Sequence, residues 1–439
     1  MRLNADARRA RTTLAPLLRM AAEIEHAIAC QYLFAAHSMK SHPVEPGCTP
    51  ERLELLRTWK GTLLSIARME MEHLGIVNNV LMAMGEDAHL GRPSFPTPRG
   101  LFPVEEGFSL EPFSLATLGR FVLIEYPHHK TARVTEFLGF LERDGRTPED
   151  DDLRHQIGTG RDVQRNSISE LYDMIEHAIE HLADNVAASL FIGDPTLQVT
   201  NSTLGFPPGV RIRDVELSAV DGKKAAVKIL RRVRREGEGG KKRTEYEPLE
   251  HFPRLVSMYE ALSEERRMDP AFDPARPVVS NPVAGGRHRA SDVVTRVRDP
   301  LAKEVMHAHD LAYDTSLRLL AMICAIPSSD PTYPVVQNLA FMPMMTLVLR
   351  PLGELLTHLD AGVTPGAKAG AAFSSPPHLS TDSPATARRL VAEQLGELRA
   401  RCAHIAKLAA GTRHASRFEF VQENTWVIAS SSEQWVTGP

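Results

Sequence analysis

The chain is 439 residues long and carries a formal net charge of −4, with 43% hydrophobic and 24% charged residues. That is enough apolar surface for a large buried core, and the near-neutral balance excludes an overall attraction to nucleic acid or to an anionic membrane. Four cysteines, Cys30, Cys48, Cys324 and Cys402, form no CxxC pair, which argues against a sulfur-ligated zinc site and a disulfide framework.

The first residues, MRLNADARRARTTL, have no apolar export core, and no run approaches the roughly 18 apolar residues that span a bilayer. A reducing cytoplasm is the expected compartment, with no membrane and no nucleic-acid partner. Helical periodicity begins at about residue 12 and runs to 40. Leu14, Leu18, Ala21, Glu25, Ile28, Tyr32 and Ala36 recur at spacings of three and four, so they share one face. A second helix is expected over 51–85, with Leu63, Ile66, Glu70, His73, Val77, Val80 and Met84 inward and Gly85 suited to the C-cap.

The Pro/Gly-rich connection GRPSFPTPRGLFP, residues 91–103, is long enough to cross a bundle. A third helix over 112–126, with continuation toward 143, puts Glu125 on the face of Leu118 and Phe121. Pro127 ends or kinks it by removing a backbone donor, and Glu125 to His128 gives a Glu-x-x-His spacing across irregular backbone. A fourth helix, 161–192, offers Glu170, Asp173, Glu176, His177, Glu180 and His181 but no Glu-x-x-His; its apolar line is Ile168, Leu171, Ile175, Ala178 and Leu182, and Glu170 sits off it.

Short extended or loop pieces are expected over 196–215, helices at 215–236 and 248–267, and a long loop over 268–289. Further helices are expected at 298–326, 336–360 and 384–411, separated by a loop at 361–384, and the tail after 412 reads as extended. The basic series Lys223, Lys224, Lys228, Arg231, Arg232, Arg234, Arg235, Lys241, Lys242 and Arg243 has little aromatic interleaving. It reads as a solvated helix face, with capture of an anionic substrate as the functional alternative. The run FMPMMTLVL reads as adaptable core.

The stretch IARMEMEHLG, residues 66–75, raises the chemical question, because it places carboxylates and an imidazole in a buried seam. Unpaired ionised groups there cost several kcal/mol. Glu70 and His73 lie one turn apart on one face, whereas Glu72 points elsewhere. A carboxylate-bridged two-metal centre needs such oxygen-rich ligands from several helices, and Fe(II) and Mn(II) accept carboxylate and imidazole readily. Glu25, Glu70, His73 and Glu125 fall on inward stripes of separate helices and are the expected metal ligands, with Glu170 as the fourth-helix candidate and Tyr32 two turns beyond Glu25. The competing reading is a buried salt-bridge network.

MAAEIEHAIACQYLFAAHSMK, SIARMEMEHLGIVNNVLMAMG and FVLIEYP, followed by SISELYDMI, FIGDPTLQV, VRREGEG, EHFPRL and FMPMMTLVLRPLGELLTHL, span most of residues 14–405. In that order they resemble the ferritin-like domain of the iminophenyl-pyruvate dimer synthase family, which includes the chromopyrrolate-type synthases. The resemblance implies a mainly α fold, a ferritin-like four-helix bundle elaborated by additional C-terminal helices. The expected organisation is a bundle core over 1–195, a connecting segment completing the site over 196–267, a linker over 268–297, a C-terminal helical region over 298–411 packed on the bundle, and an extended tail over 412–439.

It also implies metal roles for Glu25, Glu70, His73 and Glu125, and draws in Glu238 and His251 as ligands or as partners orienting them, beside His128. The expected function is a non-haem di-iron or iron/manganese, O2-dependent oxidase or oxygenase of secondary metabolism. Its substrate would be a small amino-acid-derived molecule, an aromatic amino, imino or keto acid, with Tyr32 as the catalytic residue. An imine-dimerising synthase, haem-dependent or not, and a non-catalytic ferritin-like metal-binding or scaffold protein are the alternatives. Haem ranks below iron, and a homodimer is the candidate assembly.

Overall fold

The computed structural model describes residues 5–98, 100–102, 107–127, 131–159, 168–201, 217–238, 250–286, 293–340, 343–374 and 384–437. Two 34-residue helices, α1 (Ala5–Ser38) and α2 (Pro50–Ala83), form an antiparallel hairpin. The pairing direction is fixed where Arg11 and Arg19, early in α1, bind Glu86 just beyond α2. Pro50 at the first turn of α2 and the Thr49 hydroxyl, which accepts from the Arg52 amide, start that helix cleanly.

The expected third helix is split. α3 (Leu115–Ile124) is capped by the Ser114 hydroxyl and stops with Glu125 at its C-cap, two residues before Pro127; a separate α4 (Ala132–Leu141) restarts behind Thr131. An unexpected α5 (Pro148–Thr159) follows, its acidic sequence hiding the buried pair Leu153 and Ile157. The expected helix over 161–192 is α6 (Ile168–Glu180) and a short α7 (Asp184–Leu190). α8 (Lys223–Glu238) and α9 (His251–Met268) then return to the bundle. α6 packs on α8 and α1, α3 packs on α9, and both α8 and α9 reach α2. Buried Asn79 of α2 clamps the connection: its Nδ2 donates to the Val199 and Ser218 carbonyls and its Oδ1 accepts from the Val199 amide at 2.9 Å.

Within 268–297 a two-residue parallel ladder pairs β1 (Pro282–Val283) with β2 (Thr295–Arg296). The buried Arg276 guanidinium donates to the His37 and Met39 carbonyls and so ties this segment to the end of α1. α10 (Pro300–Ile323) opens behind the Asp299 cap. The single helix expected over 336–360 is instead α11 (Tyr333–Ala340), a π-helical turn over Met344–Leu349 and α12 (Arg350–Leu356). Pro343 and Pro351 remove backbone donors there and shift the register. α13 (Pro384–Leu408) packs on α10 and on α14 (Ala415–Thr437).

α14 corrects the expected extended tail. Phe418, Val421, Thr425, Ile428 and Ser432 are buried at spacings of three and four, the signature of a helix with one apolar face. The β-branched and aromatic run Thr425-Trp426-Val427-Ile428 has strand propensity in isolation, and tertiary packing on α13 overrides it.

Candidate metal centre

Five helices deliver the carboxylates, imidazoles and phenol of one cavity, which α8 also lines through Val233 and Arg234. α1 brings Glu25, α2 brings Glu70 and His73, the end of α3 brings Glu125, α9 opens with His251, and α6 contributes Tyr172. The i, i+3 spacing puts Glu70 and His73 side by side, with Glu70 Oε2 2.9 Å from His73 Nδ1. The other Glu70 oxygen, Oε1, lies 2.9 Å from His251 Nδ1. Glu25 Oε2 is 3.5 Å from His73 Nδ1, and Glu125 Oε1 is 3.6 Å from His251 Nδ1. The result is two similar halves, Glu25 with His73 and Glu125 with His251, sharing Glu70 between them.

Each outer carboxylate is held by a buried phenol. Tyr172 donates to Glu25 Oε1 at 2.6 Å and Tyr32 donates to Glu125 Oε1 at 2.8 Å. Behind the first half, His73 Nε2 lies 3.0 Å from Glu236 Oε2 of α8. Glu236 in turn accepts from Arg232 Nε at 2.8 Å, and Arg232 also binds Glu72. α8 approaches closely because residue 237 is glycine: a Cβ there would stand 3.3 Å from Glu125 Oε2.

Burial dominates the electrostatics. It raises Glu25 from its ordinary value to about 7 against the counter-pull of His73, and raises Glu125 as well, with the Glu70 charge adding to both. Glu70 is held well below the usual range despite its burial, because His251 and His73 flank it. His251 is lifted to about 10, against the pull of burial, by Glu70 and Glu125. His73, likewise opposed by burial, rises well above its ordinary value through Glu236, Glu25 and Glu70. Burial also pushes the Tyr32 and Tyr172 phenols far up, so both remain donors.

The donor set fits a pair of hard or borderline cations. Among the described residues, Glu70, His73 and His251 are the group whose ligand atoms all converge within 4.8 Å, and carboxylate plus imidazole is a set suited to iron, manganese or zinc. Glu70 Oε1 and His251 Nε2 are buried without a hydrogen-bond partner among the described residues: the 2.9 Å approach of His251 Nδ1 to Glu70 Oε1 lacks hydrogen-bond alignment. A buried carboxylate oxygen in that state is costly, and a cation beside it removes the cost.

Not every expected residue arrives. Glu25, Glu70, His73, Glu125 and His251 meet at the cavity, and Tyr32 stands behind Glu125. Glu170 does not line the cavity: it lies half-buried off the inward face of α6, where Ser169 and Tyr172 take the place expected of a fourth-helix carboxylate. Glu238 is the last residue of α8, and its side chain, like His128, lies outside the described residues. The residue that reaches His73 is Glu236, and a signal for it existed: the inward stripe Ala226, Leu230, Val233 extrapolates to 236 and 237, not to 238.

Four of the basic series are paired with acids, Arg231 and Arg234 with those of α6, Lys223 with one of α7 and Arg232 with Glu72 and Glu236, whereas Lys224, Lys228 and Arg235 are exposed as a solvated face and residues 241–243 lie outside the described residues. Arg231 binds Glu176 and Glu180, Arg234 binds Asp173, and Lys223 binds Asp184. Arg234 also lines the cavity.

Over 392 residues the chain is 30% identical to the dichlorochromopyrrolate synthase of Lentzea aerocolonigenes, covering 83% of this chain and 36% of that protein. Over 382 residues it is 29% identical to the 2-imino-3-(indol-3-yl)propanoate dimerase of Chromobacterium violaceum, covering 83% and 34%. The chain thus spans about a third of the length of the curated relatives it matches. The crystal structure of a ferritin-like protein from Caulobacter vibrioides aligns with a TM-score of 0.42 at 16% identity, over 82% of this chain and 97% of that one. A sequence model of the ferritin-like family matches residues 18–260, more than half of the chain. With its helical bundle and its matched span, the chain belongs to the ferritin-like family.

Proposed function

We propose that the chain is a non-haem di-metal enzyme that oxidises a small amino-acid-derived molecule with O2. One observation carries the reading: three buried carboxylates and two imidazoles, from four helices, are arranged as two halves about Glu70, and among the described residues none of the three carboxylates is paired with an arginine. Glu25 and His73 would hold one ion, Glu125 and His251 the other, and Glu70 both. Bound iron, or iron with manganese, supplies one-electron chemistry toward O2. Tyr32 and Tyr172 orient the outer carboxylates, and Glu236 fixes the His73 ring.

The cavity, about 30 Å³, has room for ions and small ligands. At its wall stand Tyr126, Ile168 and Val233 beside Arg234, an apolar surface next to a cation that can exchange an acid of α6 for a substrate carboxylate. The names of the two curated relatives favour a second reading, coupling of two indole-bearing imines.

The test is elemental analysis of freshly purified protein, followed by O2 consumption with aromatic amino acids and their imino acids. About two Fe, or one Fe and one Mn, per chain with O2 uptake supports the proposal, and protein that cannot be loaded with either metal removes it. Product mass separates the readings, since an oxidised monomer and a coupled dimer differ by nearly twofold.

A further inference from the structure

The outer face of α6 and the residue just past its end carry a second arrangement of ring nitrogens that the buried centre does not use. His177 and His181 stand four residues apart, both exposed, with ring centroids 3.9 Å apart and planes inclined by 35°. Two histidines at i and i+4 on one helical face are a spacing that binds zinc. With metal–nitrogen bonds of about 2.0–2.1 Å, a chelate needs ring nitrogens roughly 3–3.5 Å apart, which rings at this separation can present.

A second observation fixes one ligand atom. His181 Nδ1 lies 2.9 Å from the His177 carbonyl oxygen. A carbonyl only accepts, so Nδ1 bears the hydrogen and Nε2 keeps its lone pair. Donation of the other ring nitrogen to a backbone carbonyl is how metal-binding histidines are usually held. The neighbouring acids are engaged elsewhere, Glu176 and Glu180 both by Arg231. Among the described residues neither ring has a carboxylate partner.

We propose that His177 and His181 form a surface chelate for one borderline divalent cation, Zn(II), Ni(II) or Cu(II), separate from the buried centre, with water completing the coordination. Two neutral imidazoles without a carboxylate discriminate against Mg(II), Ca(II) and Mn(II).

The experiment uses untagged, metal-loaded full-length protein, titrated with Zn(II) against a chromophoric indicator and passed over immobilised Ni(II). His177→Ala and His181→Ala are compared with the wild type, and the iron and manganese content of the buried centre is measured in each. The wild type should take up one more Zn(II) than either variant at the same free concentration, each variant losing at least tenfold in affinity and eluting at lower imidazole, with the buried metal unchanged. His177→Gln and His181→Gln, which keep polarity at exposed positions, should behave as the alanine variants do. Equal Zn(II) uptake by wild type and variants overturns the proposal, as does loss in only one of them, because a chelate requires both rings. The histidine group His42, His358 and His414 elsewhere on the chain is common to all the proteins compared and cancels.

Discussion

Adding Fe(II) or Mn(II) to the metal-free protein at pH 7 should expel protons, in a number set by the two histidines of the centre. His251, at about 10, and His73, well above its ordinary value, both hold an extra proton at neutral pH because carboxylates surround them. Each offers Nδ1 to the cavity, and a nitrogen must lose its hydrogen before it can bind a cation. Two protons should therefore leave per two-metal centre, one from each half, and Glu25, at about 7, adds a fraction of a third. Each displaced proton steepens affinity tenfold per pH unit, so loading of the two ions together should strengthen by roughly four orders of magnitude between about pH 6 and 8, about 5 kcal/mol, or roughly two orders per ion. Calorimetric titration in two buffers of different ionisation enthalpy counts the protons directly. Release of less than about one proton, or an affinity flat with pH, would refute the reasoning, since the imidazoles would then already be neutral.

The same shifts give the metal-free protein a pH-dependent stability. Glu25 and His251 bind protons more tightly folded than unfolded, so their contributions are complete below 4.5 and 6.5 and are lost as pH rises through about 7 and about 10. Calorimetry in chelator should show a fall on the order of a few kcal/mol from about pH 7 to 10, and a melting temperature that holds or climbs over that range contradicts it. Glu236→Gln keeps an oxygen near His73 Nε2 but removes the charge that orients the ring; metal affinity by chelator competition should drop about 10–100-fold, and an unchanged affinity would reduce Glu236 to a surface-helix ion-pair partner. Gly193→Ala forces a Cβ to 1.8 Å from the Met82 carbonyl oxygen, where Gly193 N donates to the Ala83 carbonyl at 2.9 Å. It should cost about 1–3 kcal/mol, read as a lower melting temperature, and an unshifted melt would show that this loop yields freely.

The sequence announces the long helices because their inward faces repeat over many turns: Leu14 to Ala36 and Leu63 to Met84 are unbroken stripes, and both are buried. It is less informative where one residue decides the outcome. Pro127 could end or merely kink its helix, and the structure shows a stop at Ile124. α14 is hidden because strand-forming residues cluster in its middle, and packing on α13, α12 and the π-helical segment makes it a helix. The same limit governs the site. Glu25, Glu70, His73 and Glu125 lie on stripes and could be placed in one interior. Tyr172 depends on which neighbouring helix crosses above it, a fact of tertiary packing that spacing along one helix does not contain, and the stripe that points Glu236 inward does not say that His73 is what it meets.

Glu70 and Glu72 sit two residues apart on one helix and are almost equally buried, so the contrast between them separates a structural carboxylate from a proposed ligand. Glu72 binds Arg232, a permanent cation that no change of pH or metal supply removes. Glu70 faces two imidazoles instead, groups that carry charge only while protonated. An arginine in that position would make the centre a fixed ion network with no affinity for metal. Histidine makes it exchangeable, because the positive charge that stabilises three buried carboxylates can be carried either by protons on the rings or by cations between them. The salt-bridge network and the metal centre are on this account two states of one cluster. Replacing His251 with arginine should hold it in the first: the fold should persist, the second half-site should fail to load, and the pH dependence of stability above about pH 7 should weaken.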